Sequence, residues 1–280
     1  MVQQSRIIYN RDAFAASTPL ETLKAGRGIH KLTIALQGDM VAAAAITPAV
    51  MAEIIQPFEV RLMGSPVIQM RGDDLWAFNV LHLKNNPLTI TAGANINDAS
   101  KIAGLEIPLR QPARSVGDLS MRVTRVGNAG IDTELLTVVE QSSDVVDPEG
   151  YYHAVEMPMV LRAAVGYGNF LDLPQPGDLH GILFWNTTIP ITTTLTSSVA
   201  QVAVEINKER AYVRTFDEMH ADAATVATWA SPGAATLVDD YCYIDFSHEP
   251  IPKDAEVRLD INAGVANDPV RVIPIYRCKA

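Results

Sequence analysis

The sequence predicts an all-β protein made of two tandem copies of one eight-stranded sandwich or barrel, with short helical insertions. Three observations carry this reading. Short runs of β type recur along the whole chain, blocks of the first half return in the same order in the second, and each half holds one helix-like segment at the same place in that order.

The runs are Ile29–Leu36, Phe58–Met63, Val67–Met70, Leu119–Val126 and Leu135–Val139, then Leu179–Trp185, Val199–Ile206, Ala211–Val213, Tyr241–Phe246, Glu256–Ile261 and Val270–Ile275. They are rich in Val, Ile, Thr and aromatic residues and are bounded by Gly, Pro, Asn or Asp, the composition of half-buried strands. Asp73–Leu83 and Phe216–Val226 have helical spacing and acidic starts, which favour the positive end of a helix dipole.

A displacement of 144 residues lays Phe58–Trp76 on Val202–His220 without a gap, with Val60 on Val204, Leu62 on Ile206, Asp73 on Asp217 and Asp74 on Glu218. A displacement of 150 lays Ile29–Ile34 on Leu179–Phe184, and one of 136 lays Asp118 on Asp254 and Arg122 on Arg258. Leu105–Ile107 falls near Ile244–Phe246. The drift is what unequal loops produce, and the common order argues for a duplication. The polar stretch Gln141–Gly150 then reads as the linker, giving an N-terminal domain with an arm over residues 1–145 and a C-terminal domain over 146–280. Strands this many and this short make a sandwich or barrel. Periodicity does not separate a jelly roll from an immunoglobulin-like sandwich. The helix after the second hairpin favours the jelly roll.

Composition excludes several classes. The chain has 280 residues, is 48% hydrophobic and 19% charged, and so buries ordinary cores rather than staying disordered. Its 22 basic and 32 acidic residues give a net charge of −10, and it has no Lys/Arg run. Specific nucleic-acid binding needs a basic face and is not expected. Residues 1–31 are the exception, with five bases against two acids. Cys242 and Cys278 cannot make a zinc site and read as reduced thiols. The N-terminus has no signal-peptide core and no stretch reaches the length of a spanning helix, so synthesis in a cytoplasm is expected.

Catalytic signatures are poor. The chain has no G-x-S-x-G, H-E-x-x-H or P-loop, so no catalytic residue is assigned. Gly166-Tyr167-Gly168 lacks the third glycine of a dinucleotide loop and reads as a turn. The six histidines are scattered; His30 and His180 are repeat-equivalent and read as strand residues on a partly polar face. His248 near Asp245 has no activated nucleophile beside it. Leu75, Trp76 and Phe78 read as core rather than a binding stripe. Asn186-Thr187-Thr188 reads as a chance glycosylation triplet. Thr187–Ser198, with Pro190, suits a sheet edge. No cofactor is called for. The one ion the acids admit is a structural calcium, with Asp144, Asp147, Asp239 and Asp240 as weak candidate ligands and Glu149 beside them.

The ordered set Asp172-Leu173-Pro174-Gln175-Pro176, Val202–Tyr212 with its Asn207 turn, Tyr241–Phe246, and Val257–Ile261 followed by Asn262-Ala263-Gly264 resembles the double jelly-roll major capsid proteins of tailless icosahedral viruses with an internal membrane, of corticovirus type. The resemblance implies two tandem jelly-roll barrels and a chain that is not an enzyme. It implies a homotrimeric, pseudo-hexagonal capsomer of an icosahedral virion shell, contacting neighbouring capsomers and a penton protein. In such a tile residues Met1–Gly28 lie on the inner surface, either with Arg6, Arg11, Lys24 and Arg27 against anionic headgroups of the viral membrane or as a structural strut beneath the first barrel or against a neighbour. Two other classes fit paired jelly rolls. A carbohydrate-active or cupin-like enzyme would need paired carboxylates or a histidine cluster at one barrel mouth. A lectin-like adhesin would need a secretion signal.

Overall fold

The computed structural model describes residues 4–12, 21–22, 28–40, 51–90, 99–111, 119–126, 131–143, 150–187, 197–230 and 240–279. The chain divides into two compact units, residues 1–152 with 279–280, and residues 153–278. The division falls inside the strand Tyr151–Val155 (β10). Of the stretch read as a linker, Gln141–Ser143 continues the long strand Ile131–Ser143 (β9), and 144–149 lie outside the described residues.

The first unit has two antiparallel sheets. One runs β1 (Gln4–Asp12), β9, β3 (Gly28–Met40), β7 (Ala99–Gln111), β6 (Leu88–Ile90); the other runs β5 (Ser65–Met70), β4 (Ile55–Leu62), β8 (Leu119–Arg125), β2 (Glu21–Thr22). The second unit pairs β16 (Tyr241–Asp245), β13 (Asp178–Asn186) and β18 (Pro269–Cys278), with β11 (Met157–Val160) also on β18. Its other sheet runs β12 (Gly166–Leu173), β17 (Val257–Ala263), β14 (Val199–Ile206), β15 (Glu209–Thr215). The pairings repeat: β3 lies between β9 and β7 as β13 lies between β18 and β16, and β4 lies between β5 and β8 as β14 lies between β15 and β17.

The hairpins show the duplication in detail. Val60 faces Ile68 and Val204 faces Tyr212, each pair displaced by 144, and each ladder slips just after those valines. The loops are the two residues Met63-Gly64 and Asn207-Lys208, all four at positive φ (51°, 82°, 51° and 71°). This is the type I′ geometry that matches the twist of a hairpin. A helix follows each: α1 (Gly72–Ala77), continued by a π-helical turn Phe78–His82, and α2 (Phe216–Ala230). The acidic starts cap these helices. The Arg71 N–H donates to Asp74 at 3.3 Å, and the Thr215 N–H donates to Glu218 at 2.8 Å. The Glu218 N–H in turn donates to the Thr215 hydroxyl, completing a capping box. The Thr215 backbone and hydroxyl hold the Glu218 carboxyl below the usual carboxylate value.

The long first strands repeat a subtler feature. The ladder between β3 and β9 slips between Ile29 and Lys31, and that between β13 and β18 slips between Leu179 and Gly181. His30 and His180 are therefore the extra residues of two equivalent β-bulges. Ile29 and Leu32, three apart, are both buried, and so are Leu179 and Ile182. Beyond the bulge the strict alternation resumes through Ile34 and Leu36.

Two expected equivalences shift by two residues. Leu119 faces Leu62 while Val257 faces Ile206, so the ladders superpose at a displacement of 138 and Arg122 does not lie over Arg258. Leu105 faces Ile34 and Cys242 faces Phe184, which places Leu105 over Cys242 rather than Ile244. Within the N-terminal arm, Gln4–Asp12 is a strand laid antiparallel on β9.

Each core lies between its own two sheets. In the first unit Leu32, Ile34, Phe58, Val60, Ile68, Ile107, Val123 and Val138 are fully buried. In the second Ile182, Phe184, Val202, Val204, Leu259, Ile261 and Val272 are buried. Leu75, Trp76 and Phe78 are at 0% exposure, so the aromatic stripe is core. Buried Asn79 ties the helical turn to the sheet: its side-chain amide donates to Leu75 O and Glu106 O, and its Oδ1 accepts the Glu106 N–H at 2.7 Å.

Gly72 opens α1 against the backbone of Ala52, where an added Cβ would lie 1.9 Å from a carbonyl oxygen. Gly72→Ala should cost more than about 1 kcal/mol. Gly64→Asn meets open space and should carry only the backbone cost of a left-handed residue at a φ of 82°, so it should destabilise less than Gly72→Ala. Urea denaturation of both variants checks this; equal stability would contradict the placement of α1.

Candidate functional site

The site with the most developed chemistry is the outer face of the sheet β12-β17-β14-β15. Alternation turns Val202, Val204, Leu259 and Ile261 inward, leaving Glu205, Arg258, Asp260 and Phe170 on the other side. Arg258 makes two hydrogen bonds to one Glu205 oxygen (2.9 and 2.6 Å), and its guanidinium lies 4.6 Å over the Phe170 ring. Arg210 pairs with the nearly buried Asp260 at 3.2 Å and lies 5.1 Å over the Tyr167 ring. Tyr167 donates its hydroxyl to Gln201. Phe170, Val213 and Tyr167 remain 50%, 45% and 41% exposed. Arginine and aromatic side chains are enriched in protein–protein contacts. On the first unit, Glu59 binds Arg61 at 2.8 Å and Arg122 at 2.9 Å across β4 and β8.

Gly166-Tyr167-Gly168 is part of this surface. Gly166 and Gly168 have φ of 120° and 107°, the ladder to β17 slips there, and the Gly168 N–H donates to Asp260 at 2.8 Å. The segment read as a turn is the irregular start of a strand. Buried Asn169 fixes it by donating to Gly166 O and Ile261 O.

A second polar cluster lies within the second unit. Arg271 is 4% exposed, stacks 3.9 Å over Trp185, donates to the Tyr241 hydroxyl at 3.2 Å and faces Glu156 at 4.0 Å. A guanidinium stacked and bonded in this way is a packing element, satisfied on its face and its edge.

The histidines are distributed by packing. His30 and His180 sit in the bulges. His82 stacks on Phe78 and meets the edge of Tyr152. His153 lies near Tyr276, and burial lowers its pKa. His220 stacks on Phe216 and its Nδ1 contacts Tyr241 O at 3.1 Å. His248 is exposed, while Asp245 accepts from the Ser247 N–H and the Tyr243 hydroxyl. Asp144, Asp147, Glu149 and Asp239 lie outside the described residues, as do 188–196 with Pro190. Asp240 is exposed, and its carbonyl accepts the Asn186 N–H at 2.8 Å. Among the described residues no three His, Cys, Asp or Glu gather as a metal site would require, and no helix is long and apolar enough to cross a membrane. Asn186 is fully buried, with its amide donating to Asp240 O and Cys242 Sγ. A glycan has no access to it in the folded chain.

No family model matches the sequence and no curated protein matches it. Solved structures do. The crystal structure of the STIV MCP matches with a TM-score of 0.72 at 13% identity, covering 98% of this chain and 96% of that one. The major capsid protein P2 from bacteriophage PM2 matches with a TM-score of 0.61 at 12% identity, covering 100% of this chain and 98% of that one. PBCV-1 VP54 matches at 0.57 and 8% identity, covering 98% and 93%. The fold is the double jelly roll. The double jelly roll explains the repeated pairings of the two units, and coverage near unity in both directions means that it extends over the whole chain.

Cys242 and Cys278 are buried thiols outside any disulfide, and burial pushes the Cys242 thiol up to about 12. Both thiols should stay silent toward a disulfide reagent at mildly alkaline pH and react only after unfolding in guanidinium. Rapid labelling of the folded chain would contradict the burial of β16 and β18.

Proposed function

We propose that this protein is a viral major capsid protein, three copies of which form a pseudo-hexagonal capsomer of an icosahedral shell. The observation that carries the reading is the duplication itself. Two barrels with the same strand pairings, the same bulge and the same hairpin lie in one chain, so three chains present six similar barrels. A trimer thereby fills a nearly six-fold position, a function of shape and edges that needs no catalytic residue. The whole-length match to two capsid proteins supports it.

In this reading the protein resides in the virion, is made in the host cytoplasm, and contacts neighbouring capsomers and a penton protein. It is a structural protein, not an enzyme. The polar groups of the outer sheet are committed to one another, Arg258 to Glu205 and Arg210 to Asp260, as an interface lattice requires. The basic excess of residues 1–31 would face the inside, toward anionic lipid. Arg6 is half-exposed and pairs with Glu140 at 3.0 Å, which leaves it the role of a strut as well. The side chain of Arg11, and Lys24 and Arg27, lie outside the described residues.

Multi-angle light scattering on the purified protein should give three times the chain mass of 30.4 kDa, stable on dilution. A mass of one chain at high concentration would overturn the capsomer reading.

A further inference from the structure

The two units agree closely along the hairpin except in what covers its second strand. In the first unit β5 reads Ser65-Pro66-Val67-Ile68-Gln69-Met70, and Ile68 and Met70 are at 0% exposure and Val67 at 5%. Its counterpart β15 reads Glu209-Arg210-Ala211-Tyr212-Val213-Arg214-Thr215, and every residue but Tyr212 is exposed. Turn and following helix are the same, so the difference lies at the outer edge of the second strand. β15 ends its sheet, and its outer edge carries no further strand among the described residues. A long edge of this kind presents a row of backbone donors and acceptors that can pair with another strand.

Among the described residues the chain has a second sheet edge of comparable length that carries no further strand. β1 spans nine residues against the seven of β15, binds β9 on one side and ends its sheet on the other. Ser5, Arg6 and Ile7 are exposed, Ile7 at 60%. Charge favours bringing the two together. Glu209, Asp217, Glu218 and Asp222 are all exposed on β15 and the first turns of α2, against Arg210 and Arg214. β1 itself carries Arg6 and Arg11 against Asp12.

We propose that β15 of one copy is covered by β1 of a neighbouring copy, extending the sheet β12-β17-β14-β15 across the subunit boundary. The two edges are different surfaces, so the contact is heterologous, and each chain offers one of each. Such a contact closes a ring when the rotation allows. The inference rests on the capsomer reading, in which the ring has three members, and adds which strands meet.

Cysteines introduced by Ile7→Cys and Val213→Cys test it, since the two native thiols are buried. The double variant, treated with a short bismaleimide, should migrate as covalent three-chain species on denaturing gels. Chains carrying one substitution each, co-expressed, should give a mixed two-chain product, and neither single variant alone should cross-link. Three-chain particles by light scattering with no covalent product would overturn the strand pairing and leave the capsomer standing. A single-chain mass would overturn both. Self-linking of Ile7→Cys alone, or a cross-link confined within one chain, would also overturn the pairing.

Discussion

One inserted residue in the first long strand of each copy sets the phase of the whole core. Side chains of a strand alternate between faces, so a slip of one residue would exchange its apolar and polar sets. At His30 and His180 the chain takes up that slip within a bulge, which lets Ile29 and Leu32, and Leu179 and Ile182, all face inward. The neighbouring strands inherit their register from these two. Leu32 and Ile34 meet Ile107 and Leu105 on one side, and Ile34 and Leu36 meet Val138 and Leu136 on the other. Ile182 and Phe184 do the same for Ile244 and Cys242.

The blocks with clean alternation and a turn were legible in the residues. The hairpin from Ile55 and its copy from Val199 match without a gap because core, turn and cap all constrain them. Where the constraint was an ion pair, the sequence misled. Matching Arg122 to Arg258 followed two Glu–Arg pairs that sit two residues apart on equivalent ladders, Arg122 opposite Glu59 and Arg258 opposite Glu205. Of β7 only the block Leu105–Ile107 was legible, because Gly104 bends the strand at a φ of 87° and Lys101, Glu106 and Pro108 break its apolar run. β1 and β12 were hidden because as edge strands they bury little, and their mixed composition reads as loop.

The outer lattice of Arg258, Arg210, Phe170 and Tyr167 was not legible either, because its members come from strands far apart in sequence and no local pattern marks them. The buried asparagines likewise leave no signal, since each acts on backbone groups of a distant segment. These features share a cause: the sandwich brings together positions separated by about 90 residues or fewer, such as Phe170 and Arg258 or Gly168 and Asp260. The two copies have kept their interior and diverged at their surfaces. That is the expected outcome when one inner plan serves two positions with different surroundings.

Class averages of the purified protein by electron microscopy test the central claim most directly. Three-fold particles of nearly hexagonal outline, with six barrels in projection, are expected. Particles of two barrels each, or assemblies without three-fold symmetry, would contradict it.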